Sequence, residues 1–533
     1  NQNGGTPLDP LTPLYVYGRA EGADGQPWIE VGRAGRGAVL GWLPARDAVD
    51  WPHTMTAAFT NPAGRERTLF FRDRDSLLAM LGGNAPESEA RALAAAAGQQ
   101  PVPADFPVLA AEPAAHVDIR SRFYLLPILQ AESLTFQDGR EFRMLEVASV
   151  PVAAPAAAAP PGPFTLGVAF LVDTSLSMDP YIERVRNALN EVVRATAQDP
   201  NRRTRYALVG FRNSLEAQPR LEYRTKIFAR FADNADPATF AARAAEMRAT
   251  SVDSLSFNED SFAAVMTSLD ELDWEGLDGK VLVLVTDAGS RDDARAAVRM
   301  PASALARVAQ ERGAAVMVLH LKTPAGRANH AFAERQYVSL SAFAGTGPNY
   351  FPVENGDAAA FDAQNRALIA ALNQVSQAQN NAAAPDARPG PDIGAQAAMV
   401  GHALRLAWLG RRDGAAAPEL LRAWAADSFL PAAAPRRPEN LEVRVLLTRN
   451  QLNDLAQSVR AIVEAGRSGM LDSDAVFGRL QSVAAHLSRD PARMRERGME
   501  TLGDVLGEYL DGLPYVSDIA SQDRVSWRAL GAV

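Results

Sequence analysis

Asp173, Ser175 and Ser177 stand at alternate positions directly after an apolar, β-branched run, Val168-Ala169-Phe170-Leu171-Val172. One carboxylate and two hydroxyls on a short loop form a hard-oxygen set suited to Mg²⁺, which favours octahedral oxygen coordination and keeps positions for waters or partner oxygens. The preceding run reads as a buried strand, and Ile182, Val185, Leu189, Val192 and Val193 fall at helical spacing after the loop. Strand, polar loop, helix places these oxygens at the carboxyl end of a parallel strand, where open α/β sheets bind their ligands. A second buried run, Val281-Leu282-Val283-Leu284-Val285-Thr286, delivers Asp287 in the same way. Between the two lies Asp253-Ser254-Leu255-Ser256-Phe257-Asn258-Glu259-Asp260-Ser261. Asp and Ser after a strand also cap helices, and acidic residues suit a first helical turn. A second strand-end aspartate with an acidic loop before it, in this order, favours metal binding over capping alone.

Asp-x-Ser-x-Ser in this setting resembles the metal-ion-dependent adhesion site of von Willebrand factor A domains. The resemblance implies a doubly wound α/β domain, a bound Mg²⁺ (Mn²⁺ or Ca²⁺ as substitutes) and an outer-shell role for Asp287. The middle ligand of the family is usually a threonine, and no Gly-x-Thr pattern is present here. The run from Asn258 to Met266 is more similar to the integrin β-subunit version, in which a glutamate replaces the threonine. That likeness implies Glu259 as the middle ligand, with Asp260 and Ser256 as alternatives.

The chain has 533 residues, which suggests roughly three or four domains. Hydrophobic content of 47% with 22% charged residues is that of a soluble globular protein, and a net charge of -9 argues against nucleic acid as a general partner. Cysteine is absent, so disulfides and thiolate metal sites are excluded, while the compartment is left undecided. No apolar segment approaches the ~20 residues needed to span a bilayer. The start at Asn1 rather than Met leaves room for a missing signal peptide, anchor or upstream domain.

In chain order, 1–13 reads as a leader or linker. Short aromatic and β-branched runs with Gly-rich turns across 14–82 read as a small β-barrel. Its Trp-Ile-Glu-Val-Gly and Gly-Trp-Leu-Pro runs resemble bacterial SH3-like domains, and Trp28 and Trp42 are expected in its core rather than at a binding surface. Residues 83–150 form an α+β connecting segment with two strands around the Asp138-Gly139 turn. A Pro/Ala-rich linker occupies 151–163. The α/β doubly wound, Rossmann-like domain then spans 164–379, with strands expected at 166–172, 206–211, 226–231, 280–286, 315–321 and 349–353 and a closing helix at 357–378. A second linker follows at 380–391. The remainder, 392–533, reads as mainly α-helical, with amphipathic helices around 455–463 and 502–510 and one strand-like run at 442–447.

The ensemble resembles the extracytoplasmic region of serine/threonine kinases linked to type VI secretion. This implies a periplasmic or other extracytoplasmic location in a bacterial envelope and a role in assembly or signalling. Kinase motifs are not found, nor a His-Glu-x-x-His or Gly-x-Ser-x-Gly run, and the six histidines lack ligand spacing. His320, at a predicted strand end, reads as a core or edge residue. The expectation is therefore a non-enzymatic protein in which Asp173, Ser175, Ser177, Glu259 and Asp287 hold Mg²⁺ directly or through water, leaving a position for an acidic residue of a protein partner. A structural metal site with partners on the SH3-like or helical parts is one alternative. A Mg²⁺-dependent hydrolase is the other, and it lacks an identifiable nucleophile or base.

Overall fold

The computed structural model describes residues 7–151, 162–377, 392–427 and 439–446 apart from short internal breaks, with a few further positions as far as 460. Strands β1 (Tyr15–Glu21), β2 (Pro27–Gly32) and β3 (Gly41–Pro44) form an antiparallel meander. Ile29 and Val31 are buried on it, whereas Trp28 is half-buried and Trp42 is 45% exposed. The expectation that both tryptophans fill a barrel core fails for Trp42. Its neighbour in the pleat is Gly18, which supplies no side chain to cover it.

The later strands of the 14–82 region, expected in that barrel, pair elsewhere. Strands β4 (Met55–Phe59) and β5 (Leu69–Phe71), helices α1 (Arg74–Leu81) and α2 (Pro86–Ala97), and strands β6 (Val108–Ala111), β7 (Tyr124–Thr135) and β8 (Glu141–Pro151) build a second unit. All five residues of β4 are buried, which requires neighbours on both edges and cover on both faces. The β7–β8 hairpin turns at Gly139, whose φ of 80° is open to glycine at no steric cost. At its heart Arg65 and Glu112 form an ion pair at 2.8 Å with side chains 3% and 0% exposed. Glu112 also accepts from the backbone N–H and hydroxyl of Thr68, so both charges are multiply hydrogen-bonded.

The doubly wound domain follows, with β9 (Leu166–Asp173), α3 (Asp179–Thr196), β10 (Thr204–Phe211), β11 (Thr225–Ala229), α4 (Pro237–Ala245), β12 (Asn258–Glu259), α5 (Ser261–Glu271), β13 (Gly279–Thr286) and β14 (Gly289–Ser290). It continues through α6 (Ala302–Glu311), β15 (Ala314–Lys322), α7 (His330–Leu340), the short pair β16 (Ala342–Phe343) and β17 (Gly347–Pro348), β18 (Tyr350–Glu354) and α8 (Ala358–Gln377). All six expected strands and the closing helix are present. The six-stranded sheet runs β11-β10-β9-β13-β15-β18, parallel except for β11. Along β9, Val168, Phe170 and Val172 enter the core beneath α3 and α8, while Ala169 and Leu171 enter the opposite core with residues of α5, α6 and α7. Burial on both faces explains the continuous apolar run. The chain leaves β9 for β10 on one side and returns to β13 on the other, so the gap between β9 and β13 is the switch point of the sheet.

Helix α9 (Ile393–Arg412) does not open a separate helical domain. Ile393, Ala397, Val400, Leu404 and Trp408 join the core beneath α3 and α8. Gly401 lets α9 approach α8 closely, since a Cβ there would lie 2.6 Å from Val375 Cγ1. Strands β19 (Leu420–Ala426) and β20 (Leu441–Val445) then return to the second unit, completing a seven-stranded sheet in the order β20-β4-β7-β8-β19-β5-β6. The divisions expected at 82 and 392 are thereby corrected: one sheet takes strands from all three flanking segments, and the doubly wound domain is inserted between its neighbouring strands β8 and β19. The cause is pairing that sequence periodicity does not encode, because β4 and β20 are far apart in the chain yet partner each other. The helices expected near 455–463 and 502–510 and most of both linkers lie outside the described residues.

Glu112→Ala leaves the Arg65 charge buried without its partner. Urea unfolding is expected to show a loss of about 3–5 kcal/mol in the seven-stranded unit.

Candidate metal centre

Asp173 is the last residue of β9 and is fully buried. Its Oδ1 accepts from the Ser175 N–H at 2.8 Å, a local turn that folds the following loop back over the strand end. Its Oδ2 accepts from the Thr286 hydroxyl at 2.7 Å, at the end of β13. The Ser175 and Ser177 hydroxyls lie 3.2 Å apart, and Ser177 Oγ donates to Asp287 Oδ1 at 3.1 Å. Asp287 Oδ2 accepts from Thr323 Oγ1, just after β15, at 3.1 Å. A chain of oxygens thus ties together the carboxyl ends of the three central strands.

Glu259 reaches this cluster from a different element. It ends β12, which pairs in parallel with β14, and its carbonyl accepts from Arg291 N–H at 2.8 Å. The carboxylate is 2% exposed, and its Oε2 has no hydrogen-bond partner. Burial, then the charge of Asp173, holds its pKa well above the ordinary carboxylate value, with Asp287 adding to the same effect. Burial and then the charge of Asp287 push Asp173 up to about 7. Asp287 is also raised, chiefly by burial. Among the described residues no Lys or Arg forms an ion pair with any of the three.

The alternatives for the middle position face elsewhere. Asp260 Oδ1 is also buried without a partner, but its Oδ2 accepts from Ala297 N–H at 3.2 Å and lies 3.9 Å from Arg224 Nε, and neither Asp173 nor Asp287 is among the charges that act on it. Ser256 Oγ accepts from Arg291 Nη2 at 3.0 Å and is bound up with Asn213. The sequence reading assigned no role to Thr286 and Thr323, the hydroxyls that orient Asp173 and Asp287. Thr286 stood in the quoted run beside Asp287; Thr323 gave no signal beyond a polar residue closing a strand. His320 matches its expected core setting: Nδ1 meets the Tyr350 hydroxyl at 2.7 Å, and burial lowers its pKa to about 3.

Among the described residues, no three His, Cys, Asp or Glu side chains are disposed to hold a metal by themselves. The Ser175 and Ser177 hydroxyls are the further oxygens beside these carboxylates. With all-oxygen donors, buried carboxylates lacking a cationic partner and an unpartnered Glu259 oxygen, the residues fit a hard divalent cation.

No protein-family model matches the chain, and no curated protein matches it. Among solved structures, it is similar to proximal thread matrix protein 1 from the mussel byssus at 12% identity, with 38% of this chain and 45% of that chain covered and a TM-score of 0.28. One structure of that protein is described as having a zinc-occupied MIDAS motif, at the same identity, coverage and TM-score. A pilus adhesin of Lactobacillus rhamnosus GG is similar at 12% identity, with 46% of this chain and 33% of that chain covered and a TM-score of 0.29. This chain thus spans less than half the length of each of these structures.

A carboxylate whose folded-state pKa is raised stabilises the fold when protonated, and that contribution is lost as pH rises from its unfolded value of 3.8 through about 7. In EDTA, Asp173→Asn is therefore expected to stabilise the protein at pH 8, on the order of 4 kcal/mol, and to have little effect near pH 4. An amide fits here because Thr286 Oγ1 can accept from it while donating to the Ala288 carbonyl 3.1 Å away. Thermal unfolding in EDTA against pH measures the difference, and Mg²⁺ should raise the midpoint of the native protein alone.

Proposed function

We propose that this protein is a non-enzymatic binding protein that engages a protein partner through a divalent cation, Mg²⁺ in the first instance, held at the switch point of its doubly wound domain. Asp173, Ser175, Ser177 and Glu259 supply the donor oxygens, and Asp287 acts through Ser177 and water. The observation that carries this reading is the burial of Asp173, Glu259 and Asp287 with no Lys or Arg ion-paired to any of them among the described residues, and with Glu259 Oε2 unpartnered. A bound cation removes the repulsion and gives the Glu259 oxygen a partner. Its remaining coordination position would accept a carboxylate from the partner protein, charge compensation supplying affinity and octahedral geometry supplying orientation.

A hydrolase is less well supported. The serine hydroxyls are hydrogen-bonded to each other and to Asp287, while the nearby His330 Nε2 is engaged by the Thr323 carbonyl at 2.9 Å. Among the described residues no helix is long and apolar enough to cross a membrane. The extracytoplasmic placement and the link to type VI secretion-associated kinases rest on the sequence resemblance alone.

Calorimetric titration with Mg²⁺ tests the cation and its ligands together. Glu259→Gln is expected to weaken binding by at least about tenfold, whereas Asp260→Asn leaves affinity unchanged. Equal losses in both variants, or none in Glu259→Gln, would reject the assignment. Mn²⁺ and Ca²⁺ titrations rank the metals, and loss of the folded state in EDTA would favour a structural metal over an adhesive one.

A further inference from the structure

Exposed large hydrophobic side chains are distributed unevenly over this molecule. In the doubly wound domain the described residues include three, Leu176, Leu215 and Leu255, which are 57%, 36% and 75% exposed. All three lie on the loops that surround the metal centre. Leu176 is between Ser175 and Ser177, Leu255 precedes Glu259 in the acidic loop, and Leu215 follows β10. Hydrogen bonds hold these loops side by side. Thr174 N–H donates to the Phe211 carbonyl at 2.8 Å, Thr250 N–H to the Thr174 carbonyl at 2.9 Å, and Asn213 Nδ2 to the Ser254 carbonyl at 3.0 Å.

Leu255 also has a φ of 62°, a left-handed conformation costly for a branched side chain. Its N–H is pinned by Asp253 Oδ1 at 2.8 Å, and Gln218 Nε2 holds the Asp253 carbonyl at 2.8 Å. The loop therefore maintains an unfavourable backbone in order to present an apolar side chain to water. Core packing does not explain this, and backbone strain of this kind gathers at ligand-binding positions.

We propose that Leu176, Leu215 and Leu255 form an apolar rim around the metal centre, and that the partner is a protein segment whose acidic residue is flanked by apolar side chains. This rests on the cation-dependent reading above and adds the chemistry of the partner's flanks. The acidic residue is fixed by charge complementarity with the cation, and the flanks by the rim. Burial of the flanks against leucines excludes water from the carboxylate–cation contact, where the interaction then gains strength.

The test uses an array of heptapeptides with Asp, Glu, Asn or Gln at the centre and either Leu, Ile and Phe or Ser and Asn at the flanks. The full chain is applied in Mg²⁺ or in EDTA. Retention in Mg²⁺ of acid-centred, apolar-flanked peptides is expected, with a loss of at least about tenfold in the double variant Leu215→Ser, Leu255→Gly. Glycine at position 255 relieves the strain, so that variant should unfold at the same temperature or higher while binding more weakly. A purely structural leucine would give the opposite change in unfolding. Acid-centred retention without preference for the flanks, or unchanged in the double variant, would overturn the rim and leave the cation reading standing. Retention independent of Mg²⁺, or none at all, would overturn both. Mg²⁺-dependent self-association in sedimentation, abolished by the same substitutions, would replace the peptide with a second copy of the chain and overturn the proposed partner.

Discussion

Like charges buried without a counter-ion are the constraint around which the central domain is arranged. Asp173, Glu259 and Asp287 come from three separate elements; burial disfavours the ionised form of all three, Asp287 adds to this at Asp173, and both aspartates add to it at Glu259. Such an arrangement persists only if the surrounding scaffold over-determines it. The parallel strands β9, β13 and β15 supply that rigidity. Thr286 and Thr323 fix the two aspartates, and β12–β14 pairing fixes the glutamate. A cation would convert this repulsion into mutual attraction for one ion, which is why the site reads as a binding site and not as a helix cap.

The same physics accounts for the two arginines nearby. Arg212 and Arg291 are both buried, but Arg212 faces Glu222 and the Tyr223 ring, and Arg291 faces Asp293 and Asn213. Their charges stabilise the loops around the site, and neither forms an ion pair with its carboxylates, although Arg291 lies near enough to Glu259 to oppose the rise of its pKa. Pairing either arginine with Asp173 or Glu259 would fill the place of a cation.

Much of the doubly wound domain was legible in the sequence because its signals are local. A strand buried on both faces is a continuous apolar run, and a strand-end aspartate is visible beside it. Glu259 and Asp260 were set apart in the sequence only by a likeness, since adjacent acidic residues look alike until one enters β12 and the other leads into α5. The orienting threonines were illegible because a hydroxyl's role depends on which carboxylate it meets across the sheet. The seven-stranded sheet was misread for a related reason. Apart from the local β7–β8 hairpin its strands are short, and the pairing of β4 with β20, or of β5 with β19, is decided by contacts between distant segments.

The insertion of the doubly wound domain has a mechanical consequence. In the β4–β20 ladder Met55 lies opposite Val445, so the chain enters and leaves the seven-stranded sheet at the same end of an antiparallel pair. Pulling the flanking segments apart would load those hydrogen bonds one at a time, as in a zipper, instead of shearing them together. The inserted domain hangs between β8 and β19, which are themselves neighbours, with Glu146 opposite Trp424. Tension along the chain would therefore open the outer edge of the sheet before it reached the tethers of the doubly wound domain at the β8–β19 ladder.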